Sequence, residues 1–253
     1  MRLVRPLAVA ILAIILTATP GHLRGQNVAQ VWTLVPATGS EAAFEAAFKD
    51  HIAWRKANGE TWNWDTYQIV TGPNQGQWVV RSGGHEWSDF DDYDAGFGPE
   101  GGFTYQATVG QLTASASMTI SVGDTTRSRL PDDPDEYNLF NVITWNLKPG
   151  SELAFNEAVS KYTEAIAEAD LPLYYAIVNP RAGSVGPSVV GVFFEKNWAG
   201  FGSDDGVDEV MIEKYGQEGF AEVVEQLSSS IVSNESQIIR IRRDLSIVLD
   251  GGM

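Results

Sequence analysis

A ten-residue segment occurs twice in this chain, and that repeat limits the fold more tightly than any other feature. Gly39-Ser-Glu-Ala-Ala-Phe-Glu-Ala-Ala-Phe48 returns 111 residues later as Gly150-Ser-Glu-Leu-Ala-Phe-Asn-Glu-Ala-Val159, with six of the ten positions identical. A strand-like run precedes each copy, Val31-Trp-Thr-Leu-Val35 and Val142-Ile-Thr-Trp145. Self-similarity at a fixed offset marks one supersecondary unit made twice. The reading is of two similar halves of about 100 residues, each able to bury a modest core.

The element order is the same in both halves. In the first, a strand over 30–35 leads to a helix that Ser40 would cap with its hydroxyl and that runs to about Lys56, where Asn58-Gly59 stops it. Strands over 62–71 and 77–82 flank the turn Gly72-Pro-Asn-Gln-Gly76 and form a hairpin. A short helix over 85–93, a loop over 96–102, a helix within 103–118 and a strand within 119–130 follow. The second half reads as a strand over 140–147, a helix over 151–169, strands over 173–178 and 189–194, a helix over 207–232 broken near Gly216, and a strand over 237–243. The divisions expected are a signal peptide 1–26, a first repeat 27–131, a Pro-rich acidic linker 132–136, a second repeat 137–247 and a tail 248–253.

Strand–helix–strand–strand–helix–strand is the split order of ferredoxin-like units. On that order and the repeat, residues 28–247 resemble the dimeric α+β barrel superfamily, whose relatives include antibiotic-biosynthesis-type monooxygenases, NIPSNAP-like proteins and the chlorite dismutase and EthD groups. The resemblance implies an α+β fold in which two ferredoxin-like βαββαβ repeats pair as an intramolecular dimeric α+β barrel with helices outside. It carries no family signature motif and so implies only a menu of functions.

The net charge is −16. It becomes −19 without residues 1–26, which hold Arg2, Arg5 and Arg24 and no acid. Such a surface repels nucleic acid and anionic lipid. There is no cysteine, so disulfides, thiolate metal sites and thiol nucleophiles are excluded. Arg2 and Arg5 before the apolar run Leu7–Leu16, with small residues and Pro20-Gly21 after it, read as an export signal cut between Ala18 and Gln26. That run is shorter than the about 20 residues a membrane span needs. An uncleaved anchor is the alternative. After cleavage no stable membrane insertion is expected, and the cysteine-free exported chain fits a bacterial periplasm or exterior.

Comparing the halves points to a site in the first. At about 100° per residue, Phe44, Phe48, His51, Ile52 and Arg55 share one arc of the first helix. The positions equivalent to the last four are Val159, Tyr162, Thr163 and Ile166. An ionisable pair on an apolar stripe suggests a histidine acid/base beside an anion-binding arginine. The alternative is a satisfied core histidine and an arginine that snorkels past the helix end. The first half is also rich in aromatic residues. Trp62 and Trp64 share a strand face, Tyr67 follows them, Trp78 lies across the hairpin, and Arg81 and His85 are close by. Together these could line a pocket for a flat apolar ligand, or the rings could simply fill the core.

The acidic stretches Asp89–Asp94 and Ser203–Glu209 lack the spacing of an EF-hand and read as solvated loops. Chlorite dismutase-like proteins bind haem through a second-half histidine. The histidines here are His22, His51 and His85, so haem is not expected. No phosphate-binding glycine loop and no Gly-x-Ser-x-Gly motif is present. No cofactor and no metal is therefore expected. The leading expectation is an exported protein that binds a small apolar or aromatic molecule. The alternatives are a cofactor-independent monooxygenase-like enzyme acting on an aromatic substrate, and a protein-interaction or assembly module.

Overall fold

The computed structural model describes residues 27–202 and 205–249. The expected signal peptide, the end of the tail and part of the second acidic stretch lie outside the described residues. The first half comprises β1 (Val28–Pro36), α1 (Glu41–Ala57), β2 (Asp65–Ile69), β3 (Trp78–His85), α2 (Trp87–Ala95), α3 (Gly98–Ala107) and β4 (Thr113–Arg129). The second comprises β5 (Leu139–Leu147), α4 (Glu152–Glu168), β6 (Tyr175–Ala182), β7 (Ser188–Glu195), α5 (Val207–Ser230) and β8 (Ile231–Ile241). The eight strands close into an antiparallel barrel in the order β1-β3-β2-β8-β5-β7-β6-β4. This is the expected α+β barrel, with each half contributing four adjacent strands.

Two seams join the halves. At one, β2 pairs with β8, with Tyr67 opposite Ile241 and Ile69 opposite Ile239. At the other, β4 pairs with β6, with Val122 opposite Asn179. The strand faces turned inward meet in one cluster that spans both halves, with Ile69, Phe140 and Ile239 buried and Tyr67, Val79, Val142 and Val192 packed against them. The opposite strand faces carry the helices. Phe44, Phe48 and Ile52 of α1 pack with Leu34, Trp64, Trp78 and Val80 in the first half. Phe155, Val159 and Ile166 of α4 pack with Tyr175, Ile177 and Val189 in the second.

Local boundaries differ from the sequence reading where tertiary pairing overrides propensity. The expected helix within 103–118 ends at Ala107, and β4 starts at Thr113 because its first part, residues 113–122, pairs with β1, Leu34 opposite Ala116 and Pro36 opposite Thr113. The expected loop over 96–102 already belongs to α3 from Gly98, and β8 starts at Ile231, where a strand was expected only from Gln237. The strand expected from Trp62 begins at Asp65, although Trp64 forms an isolated bridge to Ile247. Ser40 occupies the N-cap position with φ −106° and ψ 7°, not the extended geometry a capping hydroxyl needs, and makes no side-chain cap bond.

The end of the second half crosses into the first. After β8 the chain makes a 3₁₀ turn (Arg243–Leu245) and lies along Trp64 and Thr66. Trp64 and Ile247 exchange backbone hydrogen bonds of 2.9 and 2.8 Å. Thr66 Oγ1 donates to the Leu245 carbonyl at 2.7 Å. Leu245 and Ile247 are fully buried in the first-half helix–sheet core. The expected boundary at 247 is thus a boundary in sequence and not in packing.

Candidate functional site

A cavity of about 150 Å³ lies between α1, α3 and the outer face of the first-half sheet. That volume is on the scale of one aromatic ring. Trp32 and Leu34 of β1, Val80 of β3 and Trp64 line it from the sheet side. Phe48, His51, Ile52 and Arg55 of α1 and Tyr93 of α2 line another side. Gly98, Gly102, Tyr105 and Gln106 of α3, with Gln30, complete it. Three of the eight residues singled out from sequence, His51, Arg55 and Trp64, therefore meet at one cavity.

Two wall residues carry an unusual feature. Nδ1 of His51 and Nε1 of Trp64 are buried without a hydrogen-bond partner, the two such side-chain atoms among the described residues. His51 and Trp64 are 3% and 4% exposed. Orphaned buried polar groups are rare and costly, and each calls for an explanation. The second ring nitrogen of His51, Nε2, lies 3.4 Å from Arg55 Nη1. Burial, and secondarily the charge of Arg55, pull the His51 pKa down to about 4, so the ring is neutral at pH 7.

Arg55 itself is tied down from below. Its Nε donates to Glu60 Oε2 at 2.7 Å and its Nη2 donates to the Tyr93 hydroxyl at 2.5 Å. Tyr93 in turn donates to Glu60 Oε2 at 3.2 Å. The other carboxylate oxygen of Glu60 accepts from the backbone N–H of Thr61 and of Trp62. The guanidinium also stacks 5.1 Å from the Trp64 ring and 5.4 Å from Phe97. Burial raises the Tyr93 pKa, which keeps the phenol protonated as a donor. Arg55 is thus a compensated cation and not a free anion receptor. Sequence reading did not foresee Glu60 or Tyr93. Glu60 lies just past the Asn58-Gly59 helix stop, and Tyr93 is hidden inside an acidic stretch.

The other expected residues sit elsewhere. Trp78 belongs to the core under α1, packed on Phe44 and Phe48, with Arg242 over its ring. Trp62 lies behind the cavity, stacked between His85 at 3.8 Å and Tyr93 at 4.0 Å. Tyr67 packs in the barrel interior, in the opposite layer to the cavity. Arg81 pairs with Asp65 at 3.7 Å. His85 Nε2 is 2.7 Å from Ser82 Oγ, and its Nδ1 is 4.0 Å from Asp89. This sequence of groups resembles a serine triad, but Ser82 is 1% exposed, so its hydroxyl has no route to a substrate. Asp89 also caps α2, where it shares a reciprocal capping box with Glu86. The first acidic stretch is therefore helical, as the short helix expected over 85–93 has it, and not the solvated loop that its acidic composition suggested.

The space equivalent to the cavity in the second half is packed. Tyr162 and Ile166 replace His51 and Arg55, and Trp145 takes the position of Leu34. The Trp145 indole lies across Gly191, where a Cβ would come within 2.6 Å of it, and packs against Phe155. Residues for haem do not fit here: no second-half histidine exists to ligate it, Nε2 of His51 is already engaged, and the first-half cavity is far smaller than a macrocycle. No group of three metal-ligating side chains occurs among the described residues.

No protein-family model matches the sequence, and no curated protein matches it. Solved structures do share its fold. An anthrone oxidase-like protein superposes with a TM-score of 0.53 at 14% identity, over 86% of this chain and 92% of its own. A protein of Lactobacillus acidophilus NCFM proposed to be a monooxygenase gives 0.53 at 10% identity, over 89% and 100% of the two chains. A chlorite dismutase variant from Candidatus Nitrospira defluvii gives 0.50 at 9% identity, over 86% and 92%. These similarities establish the class: a single-chain α+β barrel of the kind these proteins have. At such identities the fold is common and the activity does not follow from it.

Proposed function

We propose that the first-half cavity binds a small, flat, largely apolar molecule, and that holding this molecule is what the chain does. One observation carries the reading: an apolar cavity of ring size has two buried polar atoms in its lining residues, and the protein supplies a partner for neither. The second half provides the control. Leu34→Trp with Val80→Gly would transplant the Trp145/Gly191 packing into the cavity. Ligand-observed NMR with single-ring aromatic probes is expected to register binding to the native chain and none to the double variant, with the fold retained by circular dichroism. Equal binding by both proteins would sink the assignment to this cavity.

A second reading is favoured by the two structural relatives with oxidase-like and monooxygenase names. In it the bound aromatic is oxidised by dioxygen without a cofactor. For a single-ring substrate with an activated methylene, one dioxygen converts the methylene to a carbonyl and releases one water. It predicts dioxygen uptake with such a substrate by the native chain. Uptake no faster than with the cavity-filled variant ends that reading and leaves the binding one standing. Residues 1–26 retain their reading as an export signal, and N-terminal sequencing of protein from its host is expected to begin between residues 19 and 28.

A further inference from the structure

We infer that α3 is a lid on the first-half cavity: the helix swings away from α1 and β4 as a unit to admit and release the ligand, and the Tyr105 hydroxyl on Thr113 is its latch. This rests on reading the cavity as a ligand site. The walls of the cavity differ in what holds them. On the sheet side Leu34, Trp64 and Val80 are buried in the first-half core, and Phe48 and Ile52 bury the α1 wall in the same cluster. None of these can move without opening that core. α3 supplies Gly98, Gly102, Tyr105 and Gln106 to the cavity, yet the residue it buries is Gly101. Its Phe103 is 76% exposed.

Local chemistry gives α3 little stability of its own. Gly98, Gly101 and Gly102 are among its ten residues, and glycine is the poorest helix former after proline. No side chain caps its first turn, and no base lies in its last. A helix this short does not hold in water without tertiary support. The chain fixes both ends of the segment and leaves the middle thinly packed. Tyr93 before α3 and Val109 after it are buried. Non-helical residues separate the helix from each anchor: Gly96 at φ −110° and ψ −118°, and Thr108 at φ −120° and ψ −85°. A segment hinged between two fixed points is the form that gating elements take.

Tyr105 ties the helix down. Its hydroxyl lies 3.1 Å from Thr113 Oγ1 at the start of β4. Thr113 donates its own proton to the Val109 carbonyl at 2.9 Å, so Tyr105 is the donor of the pair. Burial raises the Tyr105 pKa and keeps that proton in place. The Tyr105 ring also stands edge-on to His51, 5.7 Å away. A second tie, from Gln111 Nε2 to the Gln106 carbonyl at 2.9 Å, joins two exposed residues, where water competes. Releasing Tyr105 and lifting Gly101 off Arg55 and Phe97 opens the cavity. The Arg55–Glu60–Tyr93 network beneath stays intact.

The test starts with the native chain alone. Hydrogen exchange, corrected for intrinsic rates, is expected to be about tenfold or more faster for amides 102–107 than for those of α1. Tyr105→Phe keeps the ring and removes the latch, and is expected to speed α3 exchange about fivefold further without changing α1. Gly102→Ala stiffens the helix and is expected to slow that exchange about threefold. Fluorobenzene then reads the route. Its dissociation rate, measured by fluorine NMR, is expected to rise in Tyr105→Phe and to fall in Gly102→Ala. Amides of α3 protected as well as those of α1 overturn the lid while leaving the cavity a binding site. So does one fluorobenzene rate in all three chains when α3 exchange differs among them. Absence of fluorobenzene binding overturns the ligand reading, and the lid with it.

Discussion

The two halves share an element order and differ in what fills the layer between helices and sheet. In the second half, α4 and α5 meet through Ala158, Ala165, Met211 and Val223, and Trp145 closes the space above the sheet. The 24-residue α5 is kinked at Gly216, which takes non-helical angles of φ 71° and ψ 167°, where the sequence reading expected a break. In the first half the corresponding stretch is split into the short α2 and α3. It closes on a charged and aromatic network instead of on small side chains. One barrel therefore carries one layer specialised for close packing and another that retains a cavity. Core positions that would satisfy stability alone are given to Arg55, Glu60 and His51, which is the pattern expected where a fold makes room for a site.

The comparison breaks most completely if either half can stand alone. Strand β2 needs β8, β4 needs β6, and the inner cluster draws on both halves. An isolated half would bare two strand edges and an apolar sheet face. The native chain is expected to melt in one calorimetric transition, and residues 27–133 alone to aggregate or self-associate in the ultracentrifuge. Two separated transitions together with a folded monomeric fragment would contradict the shared core.

The dependence is also directional, since the end of the second half enters the first-half core. Ile247→Ala removes a fully buried side chain beside Trp64 and is expected to cost about 2–5 kcal/mol in denaturant unfolding. Val248→Ala, one residue on and 75% exposed, should be near neutral. Comparable losses at both positions would mean that the crossing segment does not pack as described.

A smaller effect separates the halves by pH. The His51 pKa is about 4 in the folded chain against 6.5 for an unhindered imidazole, with burial the larger cause. Between those values the unfolded chain binds a proton that the folded chain refuses, so stability falls as pH drops through this window. The contribution is complete above pH 6.5, and its loss amounts to roughly 3 kcal/mol by pH 4. His85, also lowered chiefly by burial, adds in the same direction. His51→Gln is expected to flatten the unfolding free energy over pH 4–6.5, leaving the His85 remainder. The second half carries the phenol Tyr162 at the equivalent place and has no histidine to contribute. An unchanged pH slope in the variant would mean that His51 is not held neutral.

Much of the architecture was legible because it rests on patterns that survive in one dimension. The repeated Gly-Ser-Glu-x-Ala-Phe segment marked α1 and α4, and the apolar arc of α1 placed Phe44, Phe48, His51 and Ile52 together, all four buried in the structure. The site was legible only in part. Alternation put Trp62 and Trp64 on one strand face without saying which, and the same alternation turns Tyr67 into the barrel, so a one-residue parity decides the layer. The surroundings of Arg55 were not legible because its partners, Glu60 and Tyr93, lie 5 and 38 residues away and join it only through tertiary packing. The start of β4 at Thr113 was missed because its small polar residues gain their strand character from β1 and not from local propensity.

The finest contrast lies within α3, at two adjacent glycines. A Cβ on Gly101 would come within 2.9 Å of Arg55 Nη2 and 3.0 Å of the Phe97 ring. The end of an arginine is normally free to move aside, but this one is held by Tyr93 and Glu60. A Cβ on Gly102 would meet nothing within 4 Å. Replacing a helical glycine with alanine gains about 0.5–1 kcal/mol when space allows, and overpacking costs about 1–3 kcal/mol. Gly102→Ala is therefore expected to stabilise the chain by a few tenths to 1 kcal/mol. Gly101→Ala is expected to destabilise it by about 1 kcal/mol, because its Cβ displaces a guanidinium that is held in place. In Gly101→Ala/Arg55→Met/Glu60→Gln, where the guanidinium is gone, the alanine should cost much less than in the native background. Chemical denaturation of the variants decides it: equal effects at the two glycines, or a Gly101 penalty that persists without Arg55, would show that α3 is not seated on the guanidinium.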